Sequence, residues 1–137
     1  KLHSTNYYNT LIEVADDCPV QVAEIPPQKN DEKTVALLQY AMIQEHPYTY
    51  TSDEVIFAVY AERQDIPKKE LAAQKEKFFS KGQPCLRSSP LPKRYGWGVH
   101  SNEDGKLALV AVETAAYKKL ATDKTVKQIK AMRSKRA

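Results

Sequence analysis

The chain is poor in the residues that most often announce a function. Its 137 residues include four glycines, two cysteines and one tryptophan. The cysteines, Cys18 and Cys85, match no metal-ligand spacing and are too few for a disulfide framework. Both are expected to be reduced. No G-x-G-x-x-G, G-K-[ST] or G-x-S-x-G occurs, so no dinucleotide fingerprint, phosphate loop or nucleophile elbow is legible. Asp16, Asp17, His46 and His100 are the available metal-ligand types, but in no recognised pattern. Neither a metal nor a cofactor is expected. No apolar run approaches the ~18 residues of a membrane span, and "KLHSTNYYNT" at the start has no apolar signal core. The expected partners therefore include no membrane, and the expected location is the cytoplasm. There is no repeat, low-complexity tract or long linker. One domain over 1–137 is expected, of ordinary size and able to bury its own core.

A further absence is local. Between Lys77 and Asn102 the chain carries no carboxylate. Within that window, "KGQPCLRSSPLPKRYGWGVH" (81–100) concentrates three of the four glycines, three of the eight prolines, the tryptophan and Cys85. It has four cationic side chains. The overall charge of +4 is unevenly placed: residues 124–137 hold six Lys/Arg and no acid, so the rest sums to 4 − 6 = −2. Such a basic run reads as a solvated helix face, with nucleic acid as the alternative partner.

Periodicity predicts the elements. Tyr8, Thr10, Ile12 and Val14 alternate with polar neighbours, as in a strand. Val20, Val22 and Ile25 suggest a short edge segment before Pro26-Pro27. Residues 33–46 read as a helix stopped by Pro47. Thr51 or Ser52 is placed to cap a second helix, with Asp53 and Glu54 in its first turn. "PKKELAAQKEKFFSKG" reads as a third, with Gly82 as its left-handed cap. "RYGWGVH" and "KLALVAV" flank "SNEDG", a hairpin over about 95–112 with Gly105 at the positive-φ position. A short helix and a basic terminal helix would complete the chain. The expected class is α+β, a small antiparallel sheet covered by helices.

The 81–100 stretch supplies the candidate site. Along the hairpin strand, Gly96, Gly98 and His100 share one face, a strip of bare backbone beside an imidazole. Glycine weakens a strand, so something should approach closely there: a packed helix, or a ligand. Arg87, Lys93 and Arg94 could hold an anion, with Ser88 and Ser89 as donors and Tyr95, Trp97 and His100 as further ligand contacts. Arg87 could equally pair with Asp16, Asp17 or Glu54. Cys85 could be a nucleophile with His100 as its base.

Four segments also carry a resemblance: "TNYYNTLIEVADDCP", "HPYTYTSDEV", "KGQPCLRSSPLPKRYGWGVHSNEDGKLAL" and "KAMRSKRA". Together they resemble a family of small uncharacterised bacterial proteins, a domain-of-unknown-function family, over nearly the whole chain. The resemblance implies a complete single-domain, bacterial, cytosolic protein, and it passes on no catalytic residue. Three functional readings remain open: a binding module for a small anionic or aromatic ligand at 81–100, a thiol- or histidine-dependent enzyme, and an interaction protein or homodimer using the hairpin.

Overall fold

A computed structural model describes residues 2–135. Four strands form one sheet: β1 (Thr10–Glu13), β2 (Trp97–Ser101), β3 (Leu107–Ala111) and β4 (Lys127–Lys130), in the order β3-β2-β1-β4. The hairpin β2–β3 is antiparallel, with Gly105 at φ +77° in its turn. β2 also pairs antiparallel with β1. β4 adds a parallel edge on the far side of β1.

Side chains alternate between sheet faces, so register decides what is buried. Ile12 lies opposite Val99 and Ile129, and Val99 opposite Leu109. This face meets the main core, where Ile12 and Val99 pack with Ile43, Val55, Leu86 and Leu91. Those partners come from helices α1 (Val35–Glu45), α2 (Ser52–Arg63) and α4 (Pro90–Arg94) and from a 3₁₀ turn at Leu86–Ser88. Helix α3 (Leu71–Phe78) follows α2 and builds a smaller cluster of Phe57, Ala61 and Phe79. On the opposite sheet face lie Leu11, His100 and Ala108. Helix α5 (Ala115–Thr122) contacts β1 and β3 there.

The helices start where the capping chemistry places them. Thr34 accepts the Leu37 N–H at 3.1 Å. At α2, Thr51 takes the Glu54 N–H (3.2 Å) while the Glu54 carboxylate takes the Thr51 N–H (2.9 Å), a full capping box. Asp53 in that first turn accepts the Thr5 N–H and hydroxyl, both at 2.7 Å, fastening the N-terminal segment.

The α+β reading and the hairpin hold, while several local expectations are corrected. The basic C-terminal stretch is not a helix; it contributes β4. The physical reason is backbone satisfaction: β1 is nearly fully buried, and its second edge needs partners. The Lys127 N–H donates to the Asn9 carbonyl (3.0 Å) and the Ala131 N–H to the Glu13 carbonyl (2.9 Å). Beyond β4, Asp17 accepts the N–H groups of Ser134 and Lys135 at 2.9 Å each. Val20 to Ile25 forms no strand, and Val22 and Ile25 are 60% and 64% exposed. That segment instead packs on the start of β2, with the Glu24 N–H on the Tyr95 carbonyl (2.9 Å). Gly82 is not a left-handed cap, because α3 ends earlier, at Phe78, and is capped by Phe79 with φ −87°.

The hairpin glycines are explained by packing. A Cβ on Gly98 would lie 2.7 Å from Cε2 of Tyr117, whose ring α5 lays on the sheet. The same tyrosine's hydroxyl accepts the Val14 N–H at 2.9 Å, so its ring has little room to retreat. Gly96 has φ +81° and abuts Ala23 backbone. The close approach is therefore filled from within the molecule. Gly98→Ala should destabilise the protein by about 1–3 kcal/mol through overpacking, read by urea denaturation; a loss under ~0.5 kcal/mol, the range of an ordinary surface substitution, would contradict this packing.

Candidate ligand-binding cleft

The first half of the 81–100 stretch folds against α1 and α2. Pro84, Pro90 and Pro92 limit its backbone, and Pro90 occupies the first turn of α4. Ser89 caps α4, accepting the Leu91 N–H at 3.1 Å, while its hydroxyl donates to Gln39 Oε1 at 2.6 Å. Ser89 and Gln39 are 5% and 6% exposed. This buried bond fixes the segment to α1.

Between them lies a cleft of about 320 Å³. One wall is Gln83 to Leu86 with Ser88 to Pro90; α1 adds Val35 and Gln39. Helix α2 adds Ile56, Val59 and Tyr60, and α3 adds Phe78. The Tyr60 and Phe78 rings sit 4.6 Å apart at 37° and form an aromatic flank. Arg63, exposed at the end of α2, is the one charged residue in the lining, and no carboxylate lines it. The half-buried Cys85 also lines this cleft. Its Sγ lies 3.4 Å from the Tyr7 hydroxyl. That hydrogen bond, then burial, raises the Tyr7 pKa above the usual phenol value, with the nearby Arg87 charge acting the other way.

A second hollow, of about 540 Å³, adjoins the first. Val35 and Pro90 line both. Its other walls include Lys29, Thr34, Arg94 and Tyr95.

The remaining candidates are dispersed. Arg87 donates from Nε to the Lys130 carbonyl (2.8 Å), and its own carbonyl accepts the Met132 N–H (2.9 Å). It thus covers the open edge of β4. Of the acids considered as its partners, Asp16 and Glu54 lie 3.3 and 4.0 Å from Lys130 and Lys106, and Asp17 takes backbone N–H groups. Trp97 is 9% exposed, its indole N–H donating to the Glu24 carbonyl (2.8 Å) and its ring 5.3 Å from that of Tyr40. Lys93 lies half-buried on α4.

His100 and Cys85 have different partners. His100 Nδ1 lies 2.7 Å from the Tyr48 hydroxyl, and the two rings meet edge to face at 5.6 Å. With a neutral imidazole the phenol donates to Nδ1, which puts the ring proton on Nε2. Tyr48 itself has φ +56°, an unusual backbone for so large a side chain. Burial lowers the His100 pKa and raises that of Tyr48.

Sequence reasoning found Cys85, Ser88, Ser89, Arg94 and Tyr95 among the lining residues but missed Tyr60, Phe78, Gln39 and Lys29. Gln39 had a signal: a polar residue between Leu38 and Tyr40 inside an apolar helix. Lys29 lay in a polar loop with nothing to distinguish it.

The chain belongs to a family of unknown function, DUF6157, whose model matches residues 2–137. No curated protein and no solved structure matches it. Among the described residues, no helix is long and apolar enough to cross a membrane.

The His100 environment sets a pH dependence. Its folded pKa lies below the ordinary 6.5, so between about pH 6.5 and that lower value the unfolded chain binds more protons. Stability should be fully present above this window and fall as pH drops through it. Denaturation of wild type and His100→Gln across pH 4.5–8 (about two units either side of an ordinary histidine pKa) should show the slope difference confined to that range; parallel curves would contradict it.

Proposed function

We propose that the protein is a binding module that holds a small ligand with an apolar or aromatic body in the cleft between α1, α2 and the Gln83–Pro90 segment. The observation that carries this reading is the coincidence of two features. The most distinctive stretch of the sequence forms one wall of a concavity of about 320 Å³, and ligand pockets typically start near 300 Å³ with apolar walls and a few fixed polar groups. Tyr60 and Phe78 offer an aromatic flank; Gln39, Gln83 and Ser88 offer polar points. The Ser89–Gln39 bond holds the wall in place before a ligand arrives, which reduces the ordering cost of binding. Cys18 and Cys85 are free thiols, which supports cytoplasmic action as part of this reading.

Cys85 makes the test direct, because a ligand in the cleft should shield it. In a Cys18→Ser background, saturating 1-naphthol or 1-decanol should slow alkylation of Cys85 by iodoacetamide at least threefold, with a saturable heat in calorimetry. Ile56→Trp, which fills the cleft, should abolish both effects. Unchanged alkylation with no saturable heat from either probe would refute the reading.

A further inference from the structure

The cleft's shape and charge say more about its ligand than that it is apolar. The apolar cleft and the second hollow share Val35 and Pro90, which places them side by side at the first turn of α1. The two ends differ in chemistry. The cleft end is walled by Ile56, Val59, Tyr60 and Phe78. The hollow end carries Lys29 and Arg94, with Tyr95 also in its lining. No carboxylate lines either part.

We infer that the ligand is an amphiphilic anion, its apolar body in the cleft and its anionic head held by Lys29 and Arg94 in the adjoining hollow. This rests on the binding reading above and deepens it. Two like charges facing one hollow repel each other, and an anion there removes the repulsion and gains two charge-assisted contacts. Neither cation has an ion-pair partner among the described residues. Asp31 and Glu32 follow Lys29 in its tight turn, where Asn30 and Asp31 have φ of +51° and +62°, but they do not line the hollow. Glu32 lines a separate depression with Lys33 and Arg63. The turn that carries Lys29 is itself closed by paired backbone bonds between Lys29 and Glu32 at 2.9 and 3.0 Å. Arg94 is presented by α4, whose cap is the buried Ser89. The bond that shapes the apolar wall therefore also positions the head-group cation.

Decanoate and 1-decanol share a tail and differ in the head, so their comparison separates this inference from the reading beneath it. Calorimetric titration at about 20 mM and 200 mM salt should show decanoate binding about tenfold tighter than decanol at low salt, with the preference shrinking as the Debye length falls below ~10 Å. The exposed pair Lys29→Gln/Arg94→Gln should bring decanoate down to the decanol affinity and leave decanol binding unchanged. Equal affinities in the wild type would overturn the amphiphile while keeping an apolar-ligand cleft. So would a preference removed by Arg63→Gln and not by the double variant, since that would place the head at the far end. Failure of both compounds to bind would overturn both readings.

Discussion

The hydrogen bond from Ser89 to Gln39 is the point on which the half of the molecule that carries the candidate cleft turns. The hydroxyl donates to a buried amide oxygen at 2.6 Å and accepts the first available N–H of α4 at 3.1 Å. Leaving either buried partner unpaired would cost about 1–3 kcal/mol. One atom thereby ties the proline-rich segment to α1 and starts α4 in a fixed direction. The cleft wall and Arg94 lie on the segment that it anchors. Among the described residues, no buried side-chain polar atom lacks a partner.

The sheet supplies the other constraint. β1 is short, central and apolar on both faces, and it sits between strands drawn from distant parts of the chain. β2 reaches it from residue 97 onward and β4 from residue 127 onward. Arg87 links these two halves by bonding the carbonyl of Lys130, so the residue read as an anion contact covers the exposed edge of β4. Edge strands left bare invite pairing with other chains. A guanidinium on that edge, with Lys127 and Lys130 flanking it, discourages such pairing.

What could be read from the sequence follows what is local. Helix α1 was legible from its apolar spacing and its stop at Pro47, and α2 from the cap offered at Thr51 or Ser52, where Thr51 bonds the N–H three residues on. The hairpin was legible because Gly105 supplies its turn. Gly96 and Gly98 signalled close approach, but the sequence left open what approaches, since Tyr117 lies nineteen residues beyond Gly98. β4 was misread because Val126, Ile129 and Met132 recur every third residue, and pairing with the edge of β1 overrides that weak helical pattern. The cleft was half legible. Its motif wall is a contiguous stretch, whereas its opposite wall is assembled from three helices whose apolar residues look like ordinary core.

The central claim is that the concavity behind the motif wall is where a ligand's apolar body resides. The most direct measurement is a filtered nuclear Overhauser experiment on methyl-labelled protein with unlabelled decanoate. The account predicts cross-peaks from decanoate methylenes to the methyl groups of Ile56, Val59 and Leu86. Cross-peaks confined to the exposed Val22 and Ile25, or none at all, would contradict it.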